Sequence, residues 1–193
     1  MISPVSIEEA LLYKLNAVHQ MELALQRHMK WVDDGVRPVI EVRFDGKTAI
    51  VGNSNAYLNP VLESGILHLR SLIEFIGFKC DQQGEKLLQV SKRLPDDAAV
   101  ENLEVNGNKL KMITIEDLKA GMGEKAEMVS GSLAFVAWLA NKFIAHFTEM
   151  VNADQNTLSK VLITSQAIPI IITNHVYLVH GHAVPEYKNN ALS

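Results

Sequence analysis

The chain has 193 residues, 48% hydrophobic and 21% charged, with a formal net charge of −4. That length and balance fit one globular domain, 1–193, with a sizeable core, and argue against wholesale disorder. An acidic chain lacks the basic footprint of proteins that live on nucleic-acid phosphates, so nucleic acid is a disfavoured partner. The lone cysteine, Cys80, has no internal disulfide partner and points to a reducing, cytoplasmic setting. No secretion signal is visible at the N-terminus. The most apolar run, Ala167 to Val179, carries Pro169, Asn174 and His175 and is too short to span a bilayer, which disfavours a membrane.

Ser6 followed by Glu9 reads as a capping box. Leu11, Leu15, Val18, Met21, Leu25, Met29 and Val32 then recur at steps of three and four, giving an amphipathic helix to about Asp33, stopped by Gly35 and Pro38. His19 and His28 are expected off that seam, on the surface. Asp45-Gly46 between β-rich runs predicts a type I′ hairpin near 39–51, with Ile40, Val42, Phe44, Ala49 and Val51 on one covered face. Asn59-Pro60 predicts the start of a second helix, whose buried seam is Leu62, Ile66, Leu69, Ile73 and Ile76. Arg70 and Glu74 lie one turn apart as an ion pair, with Glu63 two turns earlier, and His68 borders the apolar stripe next to Ser64, Ser71 and Phe75.

The stretch 81–123 is more mixed. A short helix is expected over Glu85 to Lys92, and a turn at Pro95-Asp96-Asp97. A second hairpin near 102–112 would turn at Asn106-Gly107, and Thr114-x-x-Asp117 would cap a short helical turn. Lys109, Lys111, Lys119 and Lys125 are interleaved with Glu116, Asp117 and Glu124 and read as a solvated face. The helix expected from Glu124 to Val151 carries an apolar arc about half its circumference wide, more than the roughly 100° stripe of a one-sided helix. It should be the interior post of the fold, with Lys142 and His146 interrupting the arc. A last helix is expected from about Thr157 to His180, kinked at Pro169.

No complete catalytic motif is present. There is no Gly-x-Ser-x-Gly elbow and no Gly-rich phosphate loop, and Cys80 reads as an inert thiol. His175, His180 and His182 lack the spacing of a helical metal clamp, so no metal ligands and no cofactor are assigned. His68 and Arg70 on one helix, with Asn141, Lys142 and His146 on another, would together hold an anion or supply an acid–base pair. The bland alternative is a satisfied core histidine, a snorkelling lysine and an Arg70–Glu74 ion pair.

The strings LLYKL, NPVLESGILHLRSLIEFIG and NKFIAHFT resemble those of a loosely defined family of uncharacterised bacterial helical-bundle proteins. That family has a His-x-Arg-x-Leu-Ile-x-Phe helix and a later Asn-Lys-x-x-x-His helix. Glu63, His68, Arg70, Asn141, Lys142 and His146 match this pattern, over about a quarter of the chain. More remotely, the layout is similar to HEPN domains, many of which are metal-independent ribonucleases or nucleotide-associated modules. Their signature arginine ahead of the histidine is replaced here by Asn141 and Lys142 ahead of His146.

The expected fold is mainly α, an antiparallel four-helix bundle with two β-hairpin excursions and a loose C-terminal tail, 183–193. The wide apolar arc and an exposed apolar run, Ile168 to Ile172, point to a homodimer. The expected function is a non-catalytic binding module for a small molecule or partner protein, with His68, Arg70, Asn141, Lys142 and His146 as candidate ligand-binding residues. The alternatives are a HEPN-like ribonuclease using Arg70, Lys142 and His146 as candidate catalytic residues, or a metal-dependent hydrolase.

Overall fold

A computed structural model describes residues 6–94, 97–105, 108–143 and 154–178. The chain is mainly helical, with three two-stranded antiparallel hairpins among the described residues. Helix α1 spans Ile7–Asp33 and begins at the expected capping box: the Ser6 hydroxyl accepts the Glu9 N–H at 3.1 Å, and the Ser6 N–H donates to the Glu9 carboxylate at 2.9 Å. Strands β1 (Val39–Phe44) and β2 (Lys47–Asn53) form the first hairpin, turning at Asp45 and Gly46 with φ of 52° and 75°. Those two positive φ values are what a type I′ turn demands.

The hairpin's covered face differs from the expected one. Val42 pairs with Ile50 but Arg43 pairs with Thr48, so Ala49 is an extra residue in β2. This bulge breaks the simple alternation and puts Val51 opposite Glu41. Phe44 and Val51 are 66% and 65% exposed. Only Ile40, Val42 and Gly52 of this hairpin are half-buried.

Helix α2 spans Ser54–Phe75, starting well before Pro60. The Asn53 side chain caps it by accepting the Ala56 N–H at 3.2 Å, and Pro60 lies inside the helix, leaving the Ala56 carbonyl without its usual donor. The cap overrides the proline as a start signal because Asn53 has extended backbone and a free side-chain oxygen at the end of β2. Leu62, Ile66, Leu69, Ile73 and Ile76 are all buried as the spacing implied. At mid-length α2 closes on α1 over Gly65, where a Cβ would lie 2.3 Å from the Met21 Cβ.

After α2 the chain forms β3 (Phe78–Cys80) and β4 (Leu87–Gln89), where a short helix was expected. The Asp81 carboxylate accepts the Glu85 N–H at 2.8 Å, and the Asp81 N–H donates to the Lys86 carbonyl at 3.0 Å, which folds the segment back on itself. Arg93 then seals the end of α2. Its guanidinium donates to the carbonyls of Glu74 (2.6 Å) and Phe75 (3.1 Å) and pairs with Glu101 at 3.3 Å. Strands β5 (Glu104–Val105) and β6 (Asn108–Lys109) form the hairpin expected near 102–112, with Glu104 opposite Lys109; its turn residues, Asn106 and Gly107, lie outside the described residues.

Helix α3 (Ile115–Met122) is capped by Thr114 and Asp117 as expected. Helix α4 is described over Ala126–Phe143, and Val129, Leu133, Val136 and Leu139 are buried in it. It packs against α2, α3, β3, β4 and α5 (Gln155–Ile172). Helix α2 is as widely partnered, against α1, α4, α5 and strands β1 to β3. The interior post expected near residue 140 is therefore shared with α2.

The apolar run near Pro169 is not a surface patch. Ile168, Ile171 and Ile172 are 0%, 5% and 0% exposed, and of that run only Ile170 reaches solvent substantially, at 52%. Period three-to-four spacing turns three of its isoleucines inward. Beyond α5, Thr173–Tyr177 forms a turn of π-helix; the expected end at His180 and Gly181, and the tail 183–193, lie outside the described residues. Among the described residues, no helix is long and apolar enough to cross a membrane.

Candidate ligand-binding site

Helix α1 ends in a Schellman arrangement. Gly35 takes φ +65°, its N–H donates to the Val32 carbonyl at 3.1 Å, and the Val36 N–H reaches back to the Trp31 carbonyl at 2.8 Å. Glycine reaches that left-handed conformation without a Cβ penalty, and the last carbonyls of the helix are satisfied without a ligand. The turn carries Val36 and Arg37 to the start of α2, where the Ser54 N–H donates to the Pro38 carbonyl at 3.1 Å.

Between these ends lies a cavity of about 450 Å³, lined by His28, Trp31, Val32, Gly35, Val36, Arg37, Asn53, Ser54 and Asn55. Its volume falls in the range of small-molecule sites. Two of its polar side chains have no protein partner within the described residues. His28 is 8% exposed and makes no hydrogen bond or ion pair within the described residues, and Arg37 has no carboxylate partner there either. Burial holds the His28 pKa below the ordinary histidine value, so the ring is neutral near pH 7. Of the first donors of α2, the Ser54 and Ala56 N–H groups have acceptors at Pro38 and Asn53, which leaves the Asn55 N–H without an acceptor within the described residues.

A second cavity, of about 420 Å³, lies between α1 and α5 along Leu15, His19, Glu22, Ser165, Gln166, Pro169 and Ile170. Its carboxylate is already engaged: Glu22 accepts from Gln26 at 3.0 Å and from Gln166 at 3.2 Å. A third, smaller one, about 120 Å³, is bordered by Asp117 and His175. Asp117 caps α3, and the His175 Nε2 is 3.0 Å from the Lys111 carbonyl. Of these three cavities, the one at His28 is lined by a buried histidine and an arginine that have no hydrogen-bond or ion-pair partner within the described residues.

The residues singled out from sequence fall in two places. His68 faces α1, its ring edge-on to Tyr13 with centroids 5.2 Å apart, and burial followed by the Lys14 charge lowers its pKa. Arg70 pairs with Glu74 at 3.2 Å, the ion pair expected from their spacing. Asn141 donates to the Cys80 sulfur at 3.7 Å, and the Arg70 charge also acts on that thiol. Burial nevertheless pushes the Cys80 pKa up, so it is a thiol and a poor nucleophile. The structure thus joins Asn141 to Cys80, leaves Arg70 paired with Glu74, and directs His68 toward α1. Lys142 is exposed, Glu63 is half-buried, and His146, like His180 and His182, lies outside the described residues. Among the described residues, no three His, Cys, Asp or Glu side chains are placed to hold a metal ion.

His28 is the functional candidate that sequence reading placed wrongly, on the surface. The signal was present: Met21, Leu25 and His28 continue the steps of four and three that define the buried seam. The His28 ring nitrogens have no protein partner within the described residues and are not sealed from solvent, so they are open to the cavity side. No protein-family model, curated protein or solved structure matches this chain.

Proposed function

We propose that the protein is a non-catalytic binding module whose small-molecule ligand occupies the cavity between the end of α1, the first hairpin and the start of α2. The observation that carries this reading is His28, buried beside a cavity of ligand size with its ring unpartnered. A screen of neutral and charged ring fragments, followed by amide and indole NMR shifts, tests it. Shifts should gather on Trp31, Gly35, Asn53 and Asn55; a screen that moves none of them sinks the reading. Cleavage of RNA by metal-free protein, lost in His146→Ala, would replace it with the ribonuclease reading.

The frame for this site is an antiparallel bundle of α1, α2, α4 and α5. Contacts of α1 with α2, α2 with α4, α4 with α5 and α5 with α1 support a closed ring of four helices. A half-buried, unreactive Cys80 fits a reducing cytoplasmic location.

The same reading takes the protein as a homodimer, joined through the first hairpin. A two-stranded hairpin is marginal by itself, and this one exposes Val39, Phe44, Ile50 and Val51. The bulge at Ala49 spoils the outer edge of β2, whereas β1 is regular. Strand β1 is also self-complementary. Antiparallel pairing of two copies about Val42 sets Glu41 of each opposite Arg43 of the other, and Ile40 opposite Phe44. Sedimentation should show Glu41→Lys dissociating the dimer and Glu41→Lys/Arg43→Glu restoring it. An unchanged mass for the single variant would remove edge pairing.

A further inference from the structure

We propose that the cavity at His28 receives an oxyanion, a phosphate or carboxylate group on a small ring-bearing molecule, held by the Arg37 guanidinium, the Asn55 N–H and the His28 imidazole. The inference rests on the cavity being a ligand site and adds the charge of the ligand. Arg37 lines the cavity at the start of α2, the end of a helix that carries partial positive charge. A cation there is opposed by the helix dipole, and among the described residues no carboxylate lines the cavity to offset it. The first turn of α2 holds no acidic residue. An anion between the two positive groups reverses the sign of the whole arrangement, turning a repulsion into two attractions.

The remaining donors fit that geometry. With Ser54 and Ala56 already bonded, the Asn55 N–H is the donor the helix start has left. Neutral His28 gives one ring N–H from the wall of the cavity, and a bound anion would favour its protonated form, which gives two. His28 and Arg37 are the ionisable side chains that line the cavity, so the proton taken up on binding is assigned to His28. Trp31, Val32 and Val36 form the apolar wall against which the ligand's ring lies.

Phenyl phosphate, benzoate and neutral benzyl alcohol are the probes, read by the Trp31 indole and Asn55 amide resonances. The chain has two tryptophans, so the indole signals are simple to assign. Phenyl phosphate and benzoate should bind at least tenfold more tightly than benzyl alcohol, and inorganic phosphate should compete. Arg37→Ala, at an exposed position, should weaken phenyl phosphate about tenfold or more, and Arg37→Lys should recover part of the loss. Affinity for benzoate, which stays ionised over this range, should rise from pH 7.5 to 6 in the native protein, and rise less in His28→Gln. Equal binding of benzyl alcohol, unaffected by Arg37→Ala, would overturn the anion assignment and keep the cavity as a ligand site. No shift with any probe would overturn both.

Discussion

Two arginines stand at the two ends of α2, and their surroundings are opposite. At the C-terminal end Arg93 is clamped: two backbone carbonyls and the Glu101 carboxylate take its donors, and its side chain is 18% exposed. A cation there also complements the negative end of the helix dipole. At the N-terminal end Arg37 has no partner within the described residues, faces the positive end of the same dipole, and borders a cavity. One arginine completes the fold, whereas the other leaves it incomplete. The comparison teaches that a charged residue's role is read from what satisfies it, since residue type and helix proximity are shared by both.

Removing the clamp should have the largest effect. Arg93→Ala leaves two carbonyls and a half-buried carboxylate without a donor, so urea unfolding should show a loss of about 1.5–3 kcal/mol. Midway along α2, Gly65→Ala drives a methyl into Met21, costing about 1–3 kcal/mol of strain against a gain of up to ~1 kcal/mol in helix propensity. The double variant Gly65→Ala/Met21→Ala should show coupling between the two positions; strict additivity would mean that α1 and α2 do not touch there.

The open end responds to pH. Burial lowers the folded-state pKa of His28 below its unfolded value of 6.5, so the unfolded chain takes up the proton first as pH falls. Stability is therefore full above that value and declines as pH drops through it toward the folded pKa. His68 shares the direction, mainly through burial. His28→Gln should flatten part of this slope between about pH 7 and 5 and leave the His68 share. The smallest expected change in stability is at Arg37→Ala: within about 0.5 kcal/mol, and in the stabilising direction if the dipole opposition holds. A loss of 2 kcal/mol on that substitution would show that Arg37 has a structural partner after all, and the contrast with Arg93 would fail.

Much of the scaffold was legible from residue spacing. The seams of α1 and α2, the capping boxes at Ser6 and Thr114, the Asp45-Gly46 turn and the Arg70–Glu74 pair are all local patterns within a few residues. The β3–β4 hairpin was missed because its strands are three residues long, too short for a periodic signal, and its turn is set by Asp81 hydrogen bonds. The candidate polar cluster of His68 with Arg70 and Asn141 parted because positions two apart on a helix point about 200° away from each other. His68 went to Tyr13 and α1; Arg70 went to Glu74 on its own helix.

Sequence by itself determined most of the helical stretches, the caps of α1 and α3, and the apolar stripes that α1 and α2 turn inward, because those choices rest on contacts within a turn or two. Only the tertiary structure decided that His28 is buried beside a cavity and that Arg37 has no carboxylate partner within the described residues. Both facts depend on how the end of α1 meets the start of α2 across a 20-residue gap of hairpin and turn, from Asp33 to Ser54. No local period encodes a distance of that kind. It emerges when the Schellman turn at Gly35, the hairpin and the Asn53 cap are closed on one another in three dimensions.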